Sequence, residues 1–159
     1  VGIGGRRFQC LKLRTMCDDA DTWLRNNPAM YEEYRRNHFK ISDESDPRVT
    51  RLGRVLRRTS VDELPQLWNV LKGEMSLVGP RPCLFNQTEL IAERAARKVF
   101  DVRPGMTGLA QIHGIDMSTP SLLAQTDAQM LKGLNVSTYL KYILKTVAGS
   151  GSGDRIQGG

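Results

Sequence analysis

The sequence predicts a mostly helical single domain of α+β (α/β mixed) class with a few short strands. Three observations carry that prediction. At 159 residues the chain fits one domain with room for a core. Apolar residues recur at three- and four-residue spacing in several segments, the period of a helix with one apolar stripe. Between those segments lie short apolar runs bounded by glycine and proline, such as 75–78 ahead of Gly79, which read as strands. Hydrophobic content of 40% and charged content of 25% are ordinary for a soluble globular chain.

Charge narrows the partners. The 23 Lys and Arg against 17 Asp and Glu leave a net +6, which favours anionic partners. Cys10, Cys17 and Cys83 lack CxxC spacing, which argues against a disulfide framework or a zinc site and fits a reducing compartment. No signal peptide is visible, and no apolar run approaches the roughly 18 residues of a membrane span.

Taken in order, Arg7 to Met16 alternates as an edge strand would. Asp18 to Asn37 reads as two short helices split at Pro28. Asp46 as N-cap and Pro47 at the first position then predict a helix to Arg58, with Val49, Leu52, Val55 and Leu56 as its apolar stripe. Arg48, Arg51, Arg54, Arg57 and Arg58 border that stripe. Such a helix suits either an anionic interface or a packed position with a solvated basic face.

Beyond Gly79, Pro80-Arg81-Pro82 makes a stiff loop. Asn86 to Phe100 is an amphipathic helix, Arg103-Pro104-Gly105 a tight turn, and Leu109 to Ile112 a brief strand. Ser118-Thr119-Pro120 starts a helix reaching Lys132, and Ser137 another ending near Val147. Residues 1–148 form the domain; 149–159 read as a flexible Gly/Ser-rich tail.

The organising stretch is Thr59 to Pro82, with the adjacent carboxylates Asp62 and Glu63 near its start. Two readings stay open on pattern alone. Ser60-Val61-Asp62-Glu63 matches a capping box ahead of a helix with Leu64, Leu67, Trp68 and Leu71, closed by Gly73. Pro65 would kink that helix at its fifth position, which disfavours the tidy cap. The other reading is a carboxylate pair flanked by cations, suited to phosphates.

The run DPRVTRLGRVLRRTSVDELPQLWNVLKGEMSLVGPRP, with KLRTM before it and VRPGMTGLAQIHG after it, resembles the bacterial sugar transferases. The likeness is to the catalytic domain of monotopic polyprenyl-phosphate phosphoglycosyl transferases, over roughly residues 6 to 148. It implies transfer of a sugar-1-phosphate from a UDP-sugar to undecaprenyl phosphate at the cytoplasmic face of the bacterial inner membrane, releasing UMP. An N-acetylated amino sugar is the expected cargo.

By that resemblance Asp62 is the nucleophile, forming a covalent phospho-sugar intermediate, and Glu63 assists as base or with Asp62 holds Mg²⁺. Arg81, Arg57, Lys12 and Arg103 are the phosphate-binding candidates. A carboxylate attacking a diphosphate meets like charge, so cations and Mg²⁺ are what that chemistry needs. The implied partners are the UDP-sugar, undecaprenyl phosphate and the membrane surface, reached through amphipathic helices, with a homodimer as a possible assembly.

The family's N-terminal membrane helix has no counterpart in this sequence, so a catalytic-domain fragment is expected. Lys12-Leu13-Arg14 also departs conservatively from a more aromatic family form. Two rival classes are disfavoured. A nucleic-acid-binding module lacks clustered aromatic residues for stacking. A catalytically idle scaffold is at odds with intact Asp62, Glu63 and Arg81.

Overall fold

A parallel strand pair roots the Pro80-Arg81-Pro82 loop, which follows on its first strand. In a computed structural model, β1 (Ser76–Val78) pairs with β2 (Gly105–Thr107), in register Ser76 with Gly105 and Val78 with Thr107. The structure describes residues 1–37, 39, 41–42 and 45–150. Parallel strands need a long crossover, and here α5 (Thr88–Ala96) lies within it. Gly79, just after β1, and Gly105, the first residue of β2, are in unusually close backbone contact. A Cβ on Gly105 would fall 2.0 Å from the Gly79 nitrogen, so no larger residue fits. Gly79 N–H donates to the Thr107 carbonyl at 2.8 Å and Gly105 N–H to the Pro80 carbonyl at 2.9 Å. Those bonds anchor the root of the Pro80-Arg81-Pro82 loop.

Helices surround this pair. In chain order they are α1 (Ala20–Arg25), α2 (Pro28–Arg36), α3 (Arg51–Arg58), α4 (Gln66–Leu71), α5, α6 (Leu109–Ile112), α7 (Pro120–Lys132) and α8 (Val136–Lys145), which runs on as a π-helical turn, Thr146–Ser150. The core sits where α5 packs on α7, around Leu90, Ala110, Leu123 and Ala124, with Phe100 and Ile115 against it. Each fully buried aliphatic side chain there contributes about 1.5–3 kcal/mol.

Several expectations are corrected by tertiary contacts. Segment 7–16 joins no sheet among the described residues; its one strand-like contact is the antiparallel bridge Met16–Val49. Asp46 does not cap a helix. It pairs with Arg48 through Nε at 2.9 Å and Nη2 at 2.7 Å, and α3 begins later, capped by Thr50, whose hydroxyl accepts from the Gly53 N–H. Arg48 is therefore a buried structural cation beneath the Tyr34 ring, not part of a basic surface. Leu109–Ile112 is helical rather than extended, and the Pro104-Gly105 turn is instead the entry to β2. The α5 helix stops at Ala96, before a 3-10 turn at Val99–Asp101. The expected tail from 149 enters the π-helical turn, and from 151 it lies outside the described residues.

The Asp46–Arg48 pair carries a stability prediction. Removing one partner of a buried ion pair strands the other charge. Asp46→Ala is expected to lower stability by about 3–5 kcal/mol, read as a urea midpoint. A loss below about 1 kcal/mol, the size of a surface pair, would contradict the burial of this pair.

Helices α3 and α4 are inverted relative to a packed helix. Leu52 on α3 is 68% exposed, and Trp68 and Leu71 on α4 are 55% and 78% exposed. The faces turned inward carry Gly53, Gln66 and Asn69. The apolar stripe read from the sequence is real, but it faces outward.

Candidate active site

Segment 9–13 carries Lys12, and its backbone is held by a side chain rather than a sheet. Buried Asn69 reaches out from α4. Its Oδ1 accepts from the Leu11 N–H at 2.9 Å, and its Nδ2 donates to the Gln9 carbonyl at 2.7 Å and to Glu74 Oε2 at 2.7 Å. On the far side of Lys12, the Leu13 N–H donates to the Asp62 carbonyl at 2.9 Å. Farther on, Gly53 lets α3 press against Thr15, since a Cβ there would lie 2.0 Å from the Thr15 oxygen. Asn69→Ala is expected to cost about 1–3 kcal/mol by leaving these backbone groups without their partner. An unchanged urea midpoint would show that the clamp does not hold the segment.

Asp62 and Glu63 occupy a 3-10 turn, Val61–Glu63, and not the first turn of α4. Ser60 enters that turn in the left-handed region, at φ 57° and ψ 17°, and its hydroxyl makes no cap. The expected Ser60 cap is thus absent. Pro65 stands at the N-cap of α4 instead of kinking it, so its ring meets no earlier carbonyl of a helix. The turn buries Asp62 to 1% exposure while leaving Glu63 partly open.

Two carboxylates and two cations alternate here. Lys12 Nζ lies 3.0 Å from Asp62 Oδ2 and 3.4 Å from Glu63 Oε1. Arg81 Nη2 donates to the same Glu63 oxygen at 2.7 Å. The Lys12–Asp62 approach is an ion pair that lacks hydrogen-bond alignment, and Asp62 Oδ2 accepts no hydrogen bond from any described residue. A buried carboxylate oxygen without a donor is costly and calls for a reason.

Beside the cluster lies a cavity of about 510 Å³, within the range of small-molecule sites. Lys12, Glu63, Gln66 and Arg81 line it, together with apolar groups such as Phe85 and Met117. The Arg7 guanidinium sits 4.5 Å over the Phe85 ring. Lys12 links cavity and carboxylate, lining the one and pairing with the other. Cys10 also lines it; burial, then the Glu63 charge, push its thiol up from the usual range.

The structure therefore brings together four of the six candidates: Lys12, Asp62, Glu63 and Arg81. Arg57 stands at the end of α3, where its Nε donates to Thr15 Oγ1 at 2.8 Å, and it does not line the cavity. Arg103 is exposed beside Gly73, whose ideal Cβ would lie 3.9 Å from its guanidinium, and is also absent from the lining.

No group of three or more His, Cys, Asp or Glu converges among the described residues. Magnesium does not require one, since it commonly binds one or two carboxylates and completes its shell with water and substrate phosphate. Asp62 and Glu63 meet that description, with adjacent hard oxygen donors and one oxygen lacking a hydrogen bond.

Comparison with known proteins now decides the family. The family described as bacterial sugar transferase matches residues 1–151. The chain belongs to the bacterial sugar transferases. It is 42% identical over 151 residues to the exopolysaccharide production protein ExoY of Sinorhizobium fredii, covering 92% of this chain and 65% of that protein. It is 42% identical over 155 residues to the UDP-glucose:undecaprenyl-phosphate glucose-1-phosphate transferase of Caulobacter vibrioides, covering 92% and 52%. It is 43% identical over 118 residues to the undecaprenyl-phosphate galactose phosphotransferase of Salmonella typhimurium, covering 72% and 24%. The chain thus spans from about a quarter to two thirds of these relatives' lengths.

Three residues behind this candidate site went unnoticed in the sequence: Asn69, which clamps the Lys12 segment, and the buried pair Arg94 and Asp127, from which Arg94 Nη1 donates to the Arg81 carbonyl at 2.8 Å. Asn69 offered a weak signal as a polar residue within the apolar run LWNVL. Arg94 and Asp127 offered none, because charged residues on amphipathic helices ordinarily face solvent.

Proposed function

We propose that this chain is the catalytic domain of a phosphoglycosyl transferase. It moves a sugar-1-phosphate from a UDP-sugar to undecaprenyl phosphate and releases UMP, in bacterial exopolysaccharide or capsule synthesis. The observation that supports this reading is buried Asp62, paired with Lys12 beside a cavity that Arg81 and Glu63 line.

An Asp62 carboxylate oxygen attacks the phosphorus bearing the sugar. A new O–P bond forms, the diphosphate P–O bond breaks, and UMP leaves with that electron pair. A phosphate oxygen of undecaprenyl phosphate then attacks the same phosphorus, the aspartyl O–P bond breaks, and the carboxylate is restored. One site thereby serves a soluble and a lipid substrate in turn. Diphosphate oxygens draw the Lys12 ammonium away from Asp62 and so uncover the nucleophile as substrate binds. Arg81 holds phosphate oxygens against the growing charge. Mg²⁺, held by Asp62 and Glu63, supplies charge neutralisation at the diphosphate when bound. Arg57 and Arg103 act at longer range on the same phosphates.

No helix among the described residues is long and apolar enough to cross a membrane. The outward apolar residues Leu52, Trp68 and Leu71, with Arg51, Arg54 and Arg58 beside them, suit a monotopic seat on the cytoplasmic face of the inner membrane, where the lipid substrate is met. An N-acetylated amino sugar is the cargo we propose, with glucose and galactose, the sugars in the relatives' names, as its competitors. A homodimer remains part of the same proposal.

The test is UMP release by membrane-reconstituted full-length protein given Mg²⁺, undecaprenyl phosphate and a panel of UDP-sugars. Release with one member of the panel is expected. No UMP from any of them would overturn the function.

A further inference from the structure

Between α5 and α7 lies an ion pair with almost no access to water, and one of its hydrogen bonds leaves the pair for the candidate active site. Arg94 and Asp127 are each 1% exposed. Arg94 Nε donates to Asp127 Oδ2 at 2.9 Å, and Nη2 lies 2.7 Å from the same oxygen. The third nitrogen, Nη1, donates to the main-chain carbonyl of Arg81 at 2.8 Å. We infer that Arg94, oriented by Asp127, is the positioning residue that sets the Pro80-Arg81-Pro82 loop and with it the phosphate-binding guanidinium of Arg81.

First, a buried ion pair is a poor stabiliser, because desolvation offsets most of the attraction and apolar replacements do as well or better. Packing therefore does not account for a charged pair buried between the two helices that carry the core residues Leu90, Leu123 and Ala124. The carboxylate is imperfectly satisfied as well. Asp127 Oδ1 accepts no hydrogen bond from any described residue, and burial pushes its carboxyl up against the pull of Arg94.

Second, the loop's own composition limits how its backbone can be held. Proline at 80 and 82 removes two N–H donors, so the loop is fixed largely through its carbonyls. The Pro80 carbonyl accepts from Gly105 N–H at 2.9 Å, and the Arg81 carbonyl accepts from Arg94. A charge-assisted bond to a carbonyl is roughly twice as strong as a neutral one. Third, Arg94 is a planar fork that meets carboxylate and carbonyl at once, whereas a lysine at this site would be a single point charge with different geometry.

The chain of contacts runs Asp127, Arg94, the Arg81 backbone, the Arg81 guanidinium and Glu63. Arg94 touches no candidate substrate group. Its effect reaches the chemistry only through Arg81, so the inference rests on the phosphoryl-transfer reading, while the loop's order can be measured without it.

Two readouts in the full-length protein test the inference. In UMP release, Arg94→Lys is expected to lower kcat/KM by about 10²-fold, the scale of a displacement near 1 Å at a reacting centre. The loss should be non-additive with Arg81→Lys. The double variant should be no slower than Arg81→Lys alone, because Arg94 has nothing left to position. Losses that multiply would overturn the inference and leave Arg94 a general structural residue. The second readout is amide exchange across residues 79–84, which is independent of activity. It should quicken in Arg94→Lys and in the isosteric Asp127→Asn, but not in the surface control Arg97→Lys. Unchanged exchange in both buried variants would also overturn it. Should wild-type protein release no UMP, the phosphoryl-transfer reading falls, and the exchange arm still decides whether Arg94 orders the loop.

Discussion

Asp62→Asn is expected to lower UMP release by at least about 10³-fold while leaving the fold intact. Loss of a covalent nucleophile removes a reaction route, and such losses reach about 10⁶-fold in other enzymes. The substitution keeps the shape of a side chain that is 1% exposed, and Lys12 retains Glu63 as a second carboxylate at 3.4 Å. Folding should therefore survive, as checked by an unchanged thermal transition. The choice of asparagine matters, because alanine would add a cavity and confuse chemistry with packing. If Asp62→Asn kept more than a tenth of wild-type turnover, Asp62 would not be the attacking group, and Glu63, which opens onto the cavity, would be the next candidate.

Arg81→Lys is expected to lower kcat by about 10²–10³-fold, the scale of losing one preorganised donor to developing charge. Lysine keeps the positive charge but not the paired donors, so it does not rescue a contact to Glu63 and phosphate together. The 2.7 Å Arg81–Glu63 bond also means the variant loosens Glu63, and the Mg²⁺ needed for half-maximal rate should rise. Steady-state UMP release over a magnesium titration reads both effects. Arg103→Lys serves as the comparison: its side chain is exposed beside Gly73 and outside the cavity lining, so its loss should stay below about tenfold, the equivalent of 1.4 kcal/mol. Equal losses at Arg81 and Arg103 would contradict the geometry.

Much of the fold was legible where local rules and tertiary packing agree. Pro120 opens α7 at its first turn as expected, α8 ends close to the predicted point, and Met75 to Val78 holds the strand β1. Even so, α8 begins through Asn135 with Thr138 as its capping box, two residues before the predicted start. Sequence failed where a distant partner decides. Gly105–Thr107 is a strand only because β1 lies beside it, and a Pro-Gly pair reads locally as a turn. Leu109–Ile112 is too short for its period to separate helix from strand. Ser60 matched a capping box letter by letter, yet its backbone turns left-handed to fold Asp62 inward.

The site divides along the same line. Lys12, Asp62, Glu63 and Arg81 lie within motifs of the family, so resemblance alone assembled them, and the geometry links them in a chain of ion pairs, Asp62 to Lys12, Lys12 to Glu63 and Glu63 to Arg81. What holds them was not legible. Asn69 clamps the Lys12 segment from 58 residues away, and Arg94 reaches the Arg81 carbonyl across 13. Such contacts leave no periodic trace, because they depend on which face of a helix ends up buried. Helices α3 and α4 make the point most plainly: their apolar stripes point outward and a glycine, a glutamine and an asparagine point inward.

The central claim is that Asp62 carries the sugar-phosphate between two substrates. The most direct measurement is peptide mass spectrometry of full-length protein incubated with its UDP-sugar and Mg²⁺ in the absence of undecaprenyl phosphate. An added sugar-phosphate is expected on the peptide bearing Asp62, formed together with UMP and discharged when undecaprenyl phosphate is supplied. UMP release that requires undecaprenyl phosphate from the outset, with Asp62 unmodified throughout, would contradict it.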